Sequence, residues 1–363
     1  MRIVSVLENQ LIEKRIAITP EIAKKYISLG FEVSLAENYG DHLGIQDNIY
    51  KELGVTISSD EKEIINSADV IVQLGLPSDD KSSLFKENQT LIGVLNPYNN
   101  KEKLENLAKK KINLFSLELL PRITRAQSMD ILSSQANLAG YKAVIEASSI
   151  FKKALPMMMT AAGTIIPAKC LILGAGVAGL QAIATAKRLG CIVFAFDVRP
   201  EVEEQVNSLG AKFIKVEEES DNEDSQRVYA KEMSESYKKK QLKAIHDVAL
   251  DMDIIISTAL IPGKKAPIII KDLMIENMKA GSVIYDLAAL QGGNTSSTQV
   301  DKIIDKNGVK IMGEANILNK LPTSASNLYA KNVFNFVINL YDKENKRVNI
   351  NLEDEIIAKT LIK

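Results

Sequence analysis

The stretch Lys169–Arg199, KCLILGAGVAGLQAIATAKRLGCIVFAFDVR, decides the fold. Its apolar run Ala168–Leu173 reads as a buried strand. Gly174, Gly176 and Gly179 follow as G-x-G-x-x-G, then a helix to about Leu189 that stops at Gly190. A second apolar strand, Ile192–Phe196, ends at Asp197, 23 residues past Gly174. Strand, glycine turn, helix, strand and acid in this order form a dinucleotide fingerprint. Gly174 permits the tight turn, Gly176 lets backbone approach a pyrophosphate, and Gly179 lets helix and strand pack closely. Val177 and Ala178 open the helix, whose free N–H groups and dipole favour an anion. A carboxylate at Asp197 accepts from ribose hydroxyls and repels a 2′-phosphate, so the expected cofactor is NAD(H) rather than NADP(H).

Upstream, strand and helix alternate. Ile3–Val6, Phe31–Leu35, Val70–Leu74, Leu91–Leu95 and Ile112–Leu117 read as short strands, and Glu21–Leu29 and Lys101–Lys110 as helices. Pro20 and Gly30 bracket the first helix in the usual way. A long helical stretch, Ala136–Phe151, leads to a second strand–helix series that runs to about Met312, and Ser326–Leu340 is a periodic helix. The pattern predicts an α/β protein with two Rossmann-like domains, parallel sheets flanking a cleft. The expected division is 1–130 with 322–363, and 131–321 for the dinucleotide-binding domain.

With 363 residues, 46% of them hydrophobic, the chain can bury a large core, and its 45 basic and 46 acidic side chains nearly balance. No basic excess points to nucleic acid or an anionic membrane. No stretch approaches the roughly 18 apolar residues of a spanning helix. Cys170 and Cys191 fit no metal or redox spacing and read as buried small hydrophobes; no metal site is expected. Met157–Met158–Met159 reads as packing, and His42 and His246 as surface or structural histidines. The acidic run Glu217–Gln226 reads either as a solvated loop or as a lid over a site.

The segment from Glu118 to Val144, ELLPRITRAQSMDILSSQANLAGYKAV, gathers Arg122, Arg125, Gln127, Asp130, Ser133 and Ser134 at a helix start. Asp130 could accept from Arg122 or Arg125 and hold Gln127, or the group could simply be a capped, charged helix N-terminus.

Over essentially its whole length the chain resembles the soluble NAD(H)-binding component of proton-translocating nicotinamide nucleotide transhydrogenase. The resemblance rests on RAQSMDILSSQANLAGYKAV, PMMMTAAGT, LGAGVAGLQAIATAKRLG, FDVR, YAKEM, STALIPGKKAP and DLAALQGGN. It implies that Arg122, Gln127, Asp130 and Ser133 hold the nicotinamide, with Gly174, Gly176, Val177, Ala178, Gly179 and Asp197 on the rest of the dinucleotide. Val198 and Arg199 would flank the adenosine, Tyr229 would sit in a mobile loop, and Ala259 to Pro262 (Leu260 among them) and Asn316 would lie near the nucleotide. Leu290 departs from the polar side chain expected there. The implied chemistry is hydride transfer to NADP(H) on a separate NADP(H)-binding subunit, coupled to a transmembrane proton-channel subunit. The component would be a homodimer docked on the cytoplasmic face, and because the chain ends soon after LEDE the membrane segments are expected on other polypeptides.

Two rivals stand beside this. EKRIAITP, with Arg15, matches the substrate-arginine motif of alanine dehydrogenases, but that family's lysine and histidine are replaced around Gly75–Leu76 and at Asn96. A non-catalytic NAD-sensing protein is the other. The reading of Asp197 predicts that NADH, titrated by its fluorescence, binds more tightly than NADPH; equal affinities would overturn it.

Overall fold

The computed structural model describes residues 1–216, 235–261 and 263–362. The acidic run Glu217–Gln226, Tyr229 and Pro262 lie outside them. The chain divides into two compact units, Met1–Gln135 with Leu318–Lys363, and Ala136–Ile317.

The first unit is built on six parallel strands: β1 (Arg2–Ser5), β2 (Glu32–Ala36), β3 (Thr56–Ser58), β4 (Val70–Gly75), β5 (Thr90–Val94) and β6 (Asn113–Ser116). Their spatial order is β3-β2-β1-β4-β5-β6. The strands are apolar on both faces because both are covered. Ile3, Val70, Ile92 and Phe115 face one core with the helix Pro322–Leu340. Val4, Ile71, Leu91 and Leu114 face a second with the helices Glu61–Ser67 and Lys101–Lys109. The last helix belongs to this unit because its buried stripe, Tyr329, Val333, Phe336 and Leu340, has its partners there. A bidentate pair of Arg125 with Asp354 ties down the tail.

The second unit opens with an antiparallel hairpin, β7 (Met158–Thr160) and β8 (Gly163–Ile165). Its sheet comprises β9 (Lys169–Leu173), β10 (Ile192–Phe196), β11 (Lys212–Phe213), β12 (Ile254–Ser257), β13 (Val283–Asp286), β14 (Lys302–Lys306) and β15 (Val309–Gly313). The order is β11-β10-β9-β12-β13-β15-β14, parallel except for the edge pair β14–β15. The same 3-2-1-4-5 winding thus occurs in both units, although no repeat shows in the sequence. The helix Ile131–Ile150 carries the chain from one unit into the other.

Cys170 and Cys191 are buried, as expected, and burial raises both thiol pKa values, that of Cys191 to about 11. The methionine triplet is not core: Met157, Met158 and Met159 are all exposed, since an isolated two-stranded ribbon has no layer over it. No helix among the described residues is long and apolar enough to cross a membrane.

Phe336 is fully buried with its ring 5.5 Å from that of Phe115. Phe336→Ala should therefore cost about 3–5 kcal/mol by denaturant unfolding. A loss under about 1 kcal/mol, the range of surface substitutions, would mean that this helix does not complete the first core.

Candidate functional site

In the second unit the strand order reverses between β9 and β12, which opens a crevice at their carboxyl ends. The turn after β9 lies there. The Gly174 N–H donates to the Phe196 carbonyl at 2.8 Å, and φ at Gly174 is +93°. A side chain at Gly174 would strike the Thr258 hydroxyl, 2.6 Å from the Cβ position. That hydroxyl donates to the Leu173 and Gly174 carbonyls at 3.2 and 3.1 Å, fixing the turn to the end of β12. A Cβ on Gly179 would overlap the Gly174 carbonyl oxygen, so only glycine lets the helix Val177–Arg188 start this close to β9. Gly140 does the same from the other side: its Cβ would overlap the Ala178 carbonyl. Sequence reasoning missed Gly140 and Thr258, because each acts on a turn far away in the chain.

Gly176 is the helix N-cap and supplies no capping side chain, and a Cβ there would meet nothing within 4 Å. The first-turn N–H groups of Val177, Ala178 and Gly179 therefore lack a side-chain cap at the positive end of a 12-residue helix. This is a cradle for an anion, and it fits the pyrophosphate of a dinucleotide.

Asp197 ends β10 beside the cradle, its side chain only 7% exposed. One oxygen accepts from the Ala175 N–H at 2.7 Å and from Arg199 Nη2 at 3.0 Å. The other accepts from the Arg199 N–H and Nε at 2.9 and 3.0 Å. Burial alone would raise the carboxyl pKa; the bonds from Arg199 and Ala175 outweigh it and hold the group below the usual carboxylate range. Arg199 is thus the internal partner of Asp197. A ribose diol would have to take over positions that Arg199 now fills. Val198 is exposed. Ala259 and Leu260 follow Thr258, with Leu260 at 48% exposure. Asn316 lies past β15, and Leu290, where a polar residue was expected, faces solvent.

The other predicted group belongs to the first unit. Asp130 does not accept from Arg122 or Arg125. Its carboxylate caps the helix Ile131–Ile150, taking the Ser133 N–H at 2.9 Å and the Ser133 hydroxyl at 2.5 Å. Arg125 is occupied by Asp354. Arg122 and Gln127 stay exposed, without side-chain hydrogen bonds among the described residues. The loop is preset by the cap, and these two polar ends are available to a ligand.

The first unit has its own reversal, between β1 and β4. Here the charged side chains already have partners within the chain. Glu8 accepts from Leu74 N–H at 2.7 Å and Gln73 Nε2 at 3.1 Å, and burial pushes its carboxyl up to about 7. Arg15 is engaged by both Glu13 oxygens, at 2.8 and 2.6 Å, and by Gln135 at 2.8 Å. Burial would lower its pKa, but the Glu13 bonds outweigh this and keep it charged. Asn96 stands in a left-handed turn with its N–H on Glu118. His42 is exposed, held between Gln10 and the Lys14 carbonyl, and no metal-binding cluster occurs among the described residues.

Comparison with known proteins covers both units. The family model for alanine dehydrogenase/PNT, N-terminal domain, matches residues 6–139, and that for the C-terminal domain matches 143–363. The first part of NAD(P) transhydrogenase subunit alpha from Rhodospirillum rubrum is 46% identical over 368 residues, covering 100% of this chain and 96% of the relative. The same-named protein of Rickettsia prowazekii (strain Madrid E) is 46% identical over 366 residues, covering 100% and 94%. The solved transhydrogenase from Sinorhizobium meliloti superposes with a TM-score of 0.88 at 42% identity, over 99% of this chain and 97% of that one. An L-alanine dehydrogenase structure gives 0.82 at 22% identity, over 99% and 94%, a likeness of fold.

Because the folded-state pKa of Asp197 is depressed, its contribution to stability is present above the unfolded value near 4 and is lost as pH falls through the folded value. The stability gap between the chain and Asp197→Asn should stay constant near neutrality and shrink below pH ~4, read by urea unfolding across pH. A gap that widens in acid would contradict the Arg199 pairing.

Proposed function

Because the chain belongs to the alanine dehydrogenase/PNT family over both of its units, we propose that it is the NAD(H)-binding component of a proton-translocating transhydrogenase. In this reading it passes hydride between NADH and NADP+ held by a separate NADP(H)-binding subunit. A transmembrane proton-channel subunit couples the transfer to proton movement. The component works as a homodimer at the cytoplasmic face of the membrane, attached through those partners.

The observation that carries the reading is the uncapped helix start at Gly176–Gly179 with Asp197 beside it. The pyrophosphate would rest on the Val177 and Ala178 N–H groups, and the adenosine ribose on Asp197 once Arg199 releases it. A 2′-phosphate would meet that carboxylate as a like charge. Bound NADH would supply the hydride from its nicotinamide C4. The residues of the Arg122–Ser133 loop then have one task, which is to hold the ring in register, since hydride passage needs geometry and dryness rather than a protein acid or base. The Asp130–Ser133 cap fixes that loop, and Gln127 and Arg122 reach the ligand. Tyr229 lies outside the described residues; Ala259, Leu260 and Asn316 would border the nucleotide.

The alanine dehydrogenase reading is disfavoured by the chemistry of the chain's own residues. Arg15 already donates three N–H bonds to Glu13 and Gln135 inside the protein, and asparagine replaces the acid–base histidine at 96.

The test mixes the purified chain with an NADP-binding transhydrogenase component and follows reduction of a thio-NADP analogue by NADH. Transfer is expected, and its absence would favour a sensing role. In the same assay Gln127→Asn should slow transfer by about 10²-fold, the cost of a misplacement near 1 Å, with little change in NADH affinity. Normal transfer in that variant would remove Gln127 from the orienting role.

A further inference from the structure

We infer that Asn294, the last residue of the block DLAALQGGN, is a positioning residue that pins both ends of the 258–267 loop beside the nucleotide turn. The inference rests on the nucleotide-binding reading above. Asn294 is fully buried. Its side-chain oxygen accepts from the Ser257 hydroxyl at 2.5 Å and the Ala259 N–H at 3.2 Å. Its amide nitrogen donates to the Ala259 carbonyl at 2.8 Å and the Pro267 carbonyl at 2.9 Å. One side chain therefore satisfies both backbone groups of Ala259 and reaches both ends of the loop. Between these ties, Leu260 and Ile261 are exposed, and Thr258, just before Ala259, holds the Gly174 turn.

Local sequence explains how an asparagine arrives there. Gly292 and Gly293 take φ values of +95° and +78°, reversing the chain after the short turn Ala289–Gln291. Asp286, the buried last residue of β13, accepts the Asn294 N–H at 2.6 Å and the Thr298 hydroxyl at 2.6 Å. Asn294 in turn accepts from Ile269 N–H and Ile270 N–H through its own carbonyl. The block DLAALQGGN is in this sense a bracket: acid at one end, amide at the other, with the loop hung on the amide. Four hydrogen bonds on one buried side chain are demanding, and aspartate, of the same shape, would turn two donated bonds into oxygen–oxygen repulsions.

The test uses the full chain with Asn294→Asp, and Ser282→Ala as a control. Ser282 is also buried and hydrogen-bonded, to the Met252 carbonyl, but next to the opposite end of β13. Three quantities are measured: the melting temperature, NADH affinity by fluorescence, and backbone hydrogen exchange without ligand. Asn294→Asp should weaken NADH by about tenfold or more and raise exchange across 258–267 while β12 and β13 stay protected. Ser282→Ala should keep NADH affinity within about twofold despite its own stability loss. Unchanged NADH affinity in Asn294→Asp, or an equal loss in Ser282→Ala, would overturn the inference. If the unmutated chain fails to bind NADH, the nucleotide reading falls; the pinning of the loop is then read from exchange alone, and unchanged exchange across 258–267 in Asn294→Asp would overturn it.

Discussion

Helix and strand in the second unit approach so closely at Gly179 that the Gly174 carbonyl occupies the space of a side chain. That approach is the constraint on which the site depends. It aims the first turn of the helix Val177–Arg188 into the crevice between β9 and β12, where N–H groups without a side-chain cap gather partial positive charge. Everything around it preserves the gap. Thr258 fastens the turn, Gly140 admits the neighbouring helix, and Asp197 borders the opening.

The two units share one winding, yet they treat their reversal points in opposite ways. In the first unit, Glu8 ties to Gln73 and Leu74, while Gln73 bonds Ser5 and Tyr329. In the second, glycines keep the crevice clear. A doubly wound sheet offers a crevice in either unit, and only side-chain chemistry decides which one accepts a ligand. Arg15 shows the same point. Its sequence context suits binding an acid substrate, but the guanidinium is already paired with Glu13 inside the protein.

Strands buried on both faces announce themselves as apolar runs, so the sheet of each unit is legible apart from short or polar members such as Thr56–Ser58 and Lys302–Lys306. The Gly174–Asp197 fingerprint is legible because its parts are local. What stays hidden is the partnership of distant residues. Asp130 suits either a clamp for arginines or a helix cap in the sequence, and the structure makes it the cap, bonded to Ser133 three residues on. Arg199, expected to flank the adenosine, closes on Asp197. The methionine triplet resembles core because hydrophobicity does not reveal that its hairpin stands without a covering layer. Asn294 closes the block DLAALQGGN, but nothing local shows that its side chain reaches Ala259 and Pro267.

The most direct measurement is a crystal structure of the chain grown with NADH. The account predicts pyrophosphate oxygens within hydrogen-bonding distance of the Val177 and Ala178 N–H groups, the ribose on Asp197, and Arg199 released. A nucleotide bound elsewhere, with the Gly174–Gly179 turn bare and Arg199 still on Asp197, would contradict it.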